Sequence, residues 1–294
     1  MISVKKRKPG TVAQCFLILF LLILLALTLF PVIVTFLLSV KPNEDYLTKS
    51  IWALPGKWQF SNYSSAFLGI IPSMLNTLWI DLLSTFCVAM LSTYVAYIFT
   101  RKSFPAKNVL FMLIILPMLV PGVVSLTPQY LNIVNLGLMG SPFALILPYI
   151  AGNQIASIFL YRTFMAQQPK DLYEAAQLDG AGNFRMYFSL CLPLSVPIMM
   201  VQSVAIFSAI YNDYLWPLMI FVGNREKSTL MPLLTELAAQ VGQTAKGSSY
   251  ALYLLSGIPL IFTTIISLKF FINGEFAAGL KPVSYTHLRA HETS

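Results

Sequence analysis

Charge is what this chain has least of. Only 10% of its 294 residues are Asp, Glu, Lys or Arg, against roughly 25% in an ordinary soluble domain. The apolar share is 57% and the mean hydropathy is +0.73. Uncharged runs recur along the whole length, which excludes a pair of soluble domains and predicts a helical bundle in a bilayer. Histidine is nearly absent too: the chain has two, His287 and His291, both at its extreme end. Without them no Ser/His/Asp set or carboxylate pair with a base can be assembled. The three cysteines, Cys15, Cys87 and Cys191, stand alone in or beside apolar spans. None has the paired spacing of a zinc or redox motif, so neither metal nor disulfide is expected. The net charge of +8 is scattered between apolar runs rather than gathered on one domain, so it speaks to membrane topology and not to nucleic acid. A P-loop is missing as well. Gly223-Asn224-Arg225-Glu226-Lys227-Ser228 ends in Lys-Ser but lacks the second glycine.

What is present is a series of six spans. Lys5 to Lys8 precede an uncharged run from Pro9 to Val40. It is too long for a signal h-region of about 7 to 15 residues and shows no A-x-A cleavage site, so it is expected to stay as an anchor helix over residues 1–40, with a possible kink at Pro31. Residues 41–72, with Trp52, Pro55, Gly56 and Trp58, read as an external loop. The second span is expected from about Leu75 to Phe99, closed by Arg101, Lys102 and Lys107. The third, about Val109 to Leu126, holds Pro117, Pro121 and Gly122 and should be broken or kinked. Residues 127–142 carry no charge and read as an external turn, followed by a fourth span over about Phe143 to Phe164. The fifth is expected near Leu194 to Val222, then an external loop over 223–249, and the sixth over about Tyr250 to Phe271. On this scheme thirteen of the 19 Lys and Arg lie inside and six outside, which puts both termini in the cytoplasm. From residue 283 to 294 the chain turns polar and aperiodic. It resembles a translated adapter appended to a membrane protein, the alternative being an ordinary solvent-exposed tail.

Between the fourth and fifth spans lies a polar island, residues 166–193. Asp171 to Leu178 suits a short helix, with Asp171 placed to cap it or to favour its N-terminus. Gly180 and Gly182 break it, and a second helical stretch runs from Asn183 towards Leu190 until Pro193 stops it. The expected object is a cytoplasmic helix-turn-helix. Leu172, Ala175, Ala176 and Leu178 would give it a shallow apolar surface flanked by Glu174 and Asp179, a shape that suits a groove on a soluble partner.

Glu174-Ala175-Ala176, with Gly180 six residues after the Glu and Pro193 nineteen after it, resembles the EAA loop of bacterial ABC importer permeases. More narrowly it is similar to the sugar-importer branch related to the maltose permease subunit with fewer helices. The resemblance extends to Asn76-Thr77-Leu78, Pro128 with Tyr130 and Leu131, Leu136-Gly137-Leu138, Pro169, Asn212-Asp213, Leu215-Trp216-Pro217-Leu218 and Ala278-Gly279-Leu280-Lys281. Glu275-Phe276 departs from it, because small or apolar residues are usual there. What it implies is an all-α membrane protein of the bacterial cytoplasmic membrane with the type I importer fold of six transmembrane helices, a permease core over 72–272. It would pair with a second permease subunit, sit on two cytoplasmic ATPase subunits and receive solute from an extracytoplasmic binding protein. ATP would be bound by the partners and no cofactor by this chain. Glu174, Ala175, Ala176, Leu178, Asp179 and Gly180 would form the coupling helix, Glu174 approaching basic residues of the ATPase and Gly180 permitting the turn.

Asp81, Asn153, Asn212, Asp213 and Trp216 are the candidates for a solute path. An aspartate at a helix centre costs about 2.5–3.5 kcal/mol on insertion scales and must face the bundle or water. The competing reading is that these groups join spans by hydrogen bonds. Trp79 and Trp216 could stack on a sugar, or simply belong to the interface belt and the packing. A secondary solute transporter is the rival function. It would place acids for ion coupling near the midplane and leave the island unexplained. An intramembrane enzyme would need a catalytic set that is missing.

Overall fold

In the computed structural model of the chain residues 11–278 are described, and among them every regular element is helical. The basic run at 5–8, the close of the resemblance at 279–281 and the proposed foreign tail at 283–294 lie outside the described residues. Five helices are long and apolar enough to cross a membrane, or up to six if one bent pair counts as a broken span. The upper count equals the six spans read from the sequence.

The chain forms two compact units: residues up to Ile71 together with Leu233–Gly257, and Pro72–Pro232 together with residues from Ile258. In the first unit, α1 (Thr11–Ser39) exposes apolar side chains all round, from Phe16 to Phe36. Its 29 residues rise about 43 Å at ~1.5 Å each, enough to span a core of about 30 Å with some tilt. Pro31 lies within this helix and does not end it. The segment expected to be a plain loop is ordered. It contains α2 (Asn43–Thr48), and Lys41, 1% exposed, donates from Nζ to the carbonyl of Ile51 at 2.9 Å. Asn62 donates to the carbonyls of Ser39 and Lys41 at 2.8 and 3.1 Å. Gly247 packs so closely that an added Cβ would sit 2.3 Å from Asn62 Nδ2, so only glycine fits.

Three helix boundaries differ from expectation, each for a legible reason. α3 (Ser61–Arg101) starts at Ser61 rather than near Leu75 and carries Pro72 inside it. Ala66 and Ile70, four apart, are both buried, so a helical face exists before the proline. The third span breaks where Pro117 and Pro121 fall. α4 (Lys107–Ile115) passes into a 3₁₀ turn (Leu116–Leu119), and α5 (Gly122–Asn135) leaves at a bend of 100°. α5 itself corrects the turn expected over 127–142: absence of charge there reflects helix, closed by Gly137 at φ 67° with Leu138 N–H returning to Ile133 O at 3.1 Å. The segment 223–249, expected to be an external loop, likewise contains α11 (Leu230–Thr244), whose Leu230, Leu233, Leu234 and Ala238 are buried at helical spacing.

The second unit is built on α3, α6 (Phe143–Ala166) and α9 (Leu192–Tyr211). α12 (Lys246–Ala278) brings the sixth span, and its Ser267 donates to Met200 O at 2.7 Å. Asn76 and Thr77 find work here: Asn76 donates to Glu226 O at 2.8 Å, and Thr77 Oγ1 accepts Leu230 N–H at 2.7 Å. They fasten the segment before α11 to α3.

Candidate functional site

The island between α6 and α9 is a small, firmly anchored structure. α7 (Lys170–Leu178) begins after Pro169, whose fixed φ suits a helix entrance, and Asp171 lies in its first turn without a side-chain cap. Its end is a Schellman motif. Gly180 adopts φ 76°, Ala181 N–H reaches Ala176 O at 2.9 Å and Gly180 N–H reaches Gln177 O at 3.0 Å. Nothing lies within 4 Å of where a Gly180 Cβ would stand, so the requirement for glycine is conformational. An L-residue there would cost about 1–2 kcal/mol.

After the turn, α8 (Asn183–Met186) runs into one π-helical turn (Tyr187–Cys191) and then directly into α9. Pro193 therefore does not stop a helix, contrary to expectation. It has no N–H to give Ser189 O, and the widened turn absorbs the loss at the start of α9.

Tyr173 and Ala176, three apart on α7, turn inward against Tyr97, Tyr161, Met165, Met186 and Cys191. Tyr173 is 5% exposed. Arg101, the last residue of α3, stacks over its ring at 3.9 Å and donates from Nη2 to Met165 O at 2.7 Å and Gln168 O at 3.0 Å. The Tyr173 hydroxyl donates to Gln168 Oε1, and Gln168 Nε2 donates to Ser195 Oγ on α9 at 3.1 Å. Burial raises the Tyr173 phenol above its ordinary pKa, so it stays a donor at every physiological pH. Arg101 with Tyr173 and Gln168 thus links α3, α6, α7 and α9 through side chains. Tyr173 did not stand out in the sequence, and Arg101 was expected only as a cation closing the second span. The available signal was a Tyr three residues before Ala176 on a nine-residue amphipathic helix.

The opposite face of α7 is bare. Leu178 is 90% exposed, and Leu172, Ala175, Glu174, Asp179 and Gly180 are exposed with it. Phe184 and Phe188 beyond the turn add apolar surface. The apolar patch expected on Leu172, Ala175, Ala176 and Leu178 therefore lacks Ala176, which packs beneath it.

The candidates for a solute path form a different kind of cluster. Asp81 is fully buried, with Thr85 Oγ1 donating to its Oδ1 at 3.2 Å and its other oxygen unpartnered. Tyr149 OH donates to Asp213 Oδ2 at 2.9 Å, and Asp213 Oδ1 accepts Trp216 N–H at 3.3 Å, at the start of α10 (Leu215–Ile220). Trp216 is 3% exposed and its indole donates to Ala144 O at 3.1 Å, so its face is not offered to a sugar. Asn153 and Asn212 bond within their own helices, to Tyr149 O at 2.8 Å and Ser208 O at 2.7 Å. Asp213, Trp216 and Tyr149 are brought together, and they tie α6 to the α9–α10 corner.

The described residues thus combine five apolar spans, up to six with the bent pair, with a buried polar corner and an exposed, braced loop between two spans. Residues 67–274 match the family described as binding-protein-dependent transport system inner membrane component, and the chain belongs to that family. It is similar to the probable ABC transporter permease protein YurM of Bacillus subtilis, at 28% identity over 278 residues, covering 94% of this chain and 92% of the relative. It is also similar to the arabinooligosaccharides transport system permease protein AraQ of the same organism, at 28% over 274 residues with 90% and 95% covered. The diacetylchitobiose uptake system permease protein NgcG of Streptomyces coelicolor shares 25% over 257 residues, with 87% and 83% covered. A bacterial ABC transporter that imports alginate contains a chain of the same fold, with a TM-score of 0.73 at 19% identity over 88% of this chain and 96% of that one.

Proposed function

We propose that the chain is the membrane-spanning permease of an importer for sugars or oligosaccharides, driven by ATP that separate subunits hydrolyse. Its assembly would comprise a second permease, two cytoplasmic ATPases and an external binding protein. The observation that carries this reading is the bare face of α7. Leu178, at 90% exposure, stands on a helix whose other face is locked to three spans, so a force applied to that face passes into α3, α6 and α9 without being lost in a slack loop. Sugar-type solutes are supported by what the relatives are named for, arabinooligosaccharides and diacetylchitobiose. ATP would bind to the partners, since no P-loop occurs in the sequence. The side bearing Arg101, Lys102, Lys107 and Lys170 is taken as cytoplasmic, which leaves both termini inside.

Glu174→Lys tests the reading. Wild-type chain co-expressed with its partners should retain the ATPases through purification and hydrolyse ATP faster with loaded binding protein, and the variant should insert in the membrane yet lose both properties. Full retention of the two by the variant would reject the coupling role. The unpartnered oxygen of Asp81 favours one rival, a proton-coupled secondary transporter. Uptake into vesicles that depends on a proton gradient and ignores internal ATP would establish that rival instead.

A further inference from the structure

We propose that the cavity bounded by the inner end of α3, the α3–α4 turn and α7 is a phosphate-binding site. The cavity measures about 370 Å³, within the size range of small-ligand pockets. Arg101, Lys102, Lys107 and Lys170 line it against a single carboxylate, Glu174. Among the described residues no ion pair is found between Glu174 and any of these cations. The Nε of Arg101 is buried and unpartnered. Like charges gathered in a half-enclosed space repel one another, and an anion supplying several acceptor oxygens relieves that repulsion.

The backbone is bent to build this arrangement. Ala106 sits at φ 57°, in the left-handed region that a non-glycine residue seldom occupies. The reversal brings Lys107 back over the end of α3, where its Nζ donates to Lys102 O at 2.7 Å, while Lys102 donates to Asn183 Oδ1. Two lysines five positions apart are thereby set side by side at one cavity. Thr100 and Tyr97 lie on the same wall, their hydroxyls donating to Ala96 O at 2.7 Å and Asn183 O at 3.4 Å.

The chemistry fits a phosphate group from either of two sources. Just beyond Lys107, Val109, Met112 and Leu113 of α4 are exposed and apolar, so the headgroup of an anionic phospholipid can enter with its chains along α4. A soluble phosphate can enter from the aqueous side. The lipid source rests on the same orientation as the coupling role, and Glu174 belongs both to the cavity and to α7's bare face, so the site is tested at its cations and not at Glu174. Direct binding to the permease therefore reports on the site, and ATP hydrolysis reports on coupling.

The test uses the full chain in nanodiscs, with native mass spectrometry of retained phosphatidylglycerol against phosphatidylcholine, and in detergent, with equilibrium binding of inorganic phosphate. The double variant Lys102→Gln/Lys107→Gln and the single variant Lys170→Gln are compared with Lys57→Gln, which removes a cation elsewhere, after each is checked for an unchanged unfolding temperature. Retention of phosphatidylglycerol by the wild type and Lys57→Gln, weakened about 30-fold in the double variant and less in Lys170→Gln, supports the site with lipid as its source. Binding of inorganic phosphate with the same variant order and no preference among lipids supports it with a soluble source. Equal binding of both probes by all four proteins overturns it. So does a double variant that sheds the ATPases with phosphate and lipid binding intact, because the cations would then serve a protein contact.

Discussion

The α7 loop and the outer corner around Asp213 invert each other. At α7, apolar side chains (Leu172, Leu178, Phe184) face out while polar ones (Arg101, Tyr173, Gln168) are bonded underneath. At the outer corner, Asp213 is satisfied by Tyr149 and the Trp216 amide, and the Trp216 ring is enclosed by Ile80, Leu145 and Ile220. The first arrangement is costly in water unless something covers it. The second is complete in itself. Polarity in a membrane chain therefore does not mark function on its own; an unsatisfied surface does. On that criterion α7 has the surface that the proposed contact requires, and most of the polar residues around Asp213 have the bonding of joints.

Four changes would break or sharpen this contrast. The largest effect is expected from Leu178→Asp, which places a charge at the centre of the bare face. ATPase affinity should fall about 30-fold or more, on the scale of a hot-spot residue at ~2 kcal/mol or above, in a pull-down titration. Arg101→Met comes next. It keeps bulk but strands the Met165 and Gln168 carbonyls and removes the stack on Tyr173, and about 2–3 kcal/mol should be lost, read as a lower unfolding temperature together with weaker coupling. Gly180→Ala should cost about 1–2 kcal/mol from the left-handed backbone alone. Its signature is impaired ATP hydrolysis with membrane insertion unchanged. The smallest is Trp216→Phe, which forfeits one hydrogen bond worth about 1 kcal/mol. It should lower thermal stability slightly and leave solute affinity untouched, whereas a large loss of affinity would make the outer corner a binding site after all.

A fifth expectation supplies a pH baseline outside both regions. The Gly56 N–H, at 2.7 Å, and Lys49 hold the Asp45 carboxyl below its ordinary value. The stability it contributes is full above the unfolded value near 3.8 and disappears as pH falls through the lower folded value. Asp45→Asn should flatten the acid limb of a thermal-stability profile taken between pH 5 and pH 2, and an unaltered limb would remove Asp45 from the account.

Much of this was legible beforehand because a bilayer leaves few options. Uncharged runs and flanking cations located the five long apolar helices, and the Pro117/Pro121 pair located the break between α4 and α5. The α7 helix and its glycine followed from local rules. What escaped was long-range or subtle. The bond from Arg101 to Gln168 joins residues 67 positions apart, which no local pattern encodes. Pro193 was read as a stop because a proline usually is one, and the π-turn that accommodates it has no sequence signature. α11 was different: Leu230, Leu233, Leu234, Leu237, Ala238 and Val241 carry a plain helical period that was overlooked because the flanking residues are polar.

The central claim is that the bare face of α7 is where the ATPase holds. It is tested most directly by Leu178→Cys in a chain with Cys15 replaced by Ser, probed with a membrane-impermeant maleimide on inverted and on right-side-out vesicles. Labelling should occur on the inverted vesicles alone and slow about 10-fold or more when the ATPase subunits are added. Labelling from the outer side, or a rate that bound ATPase leaves unchanged, would contradict it.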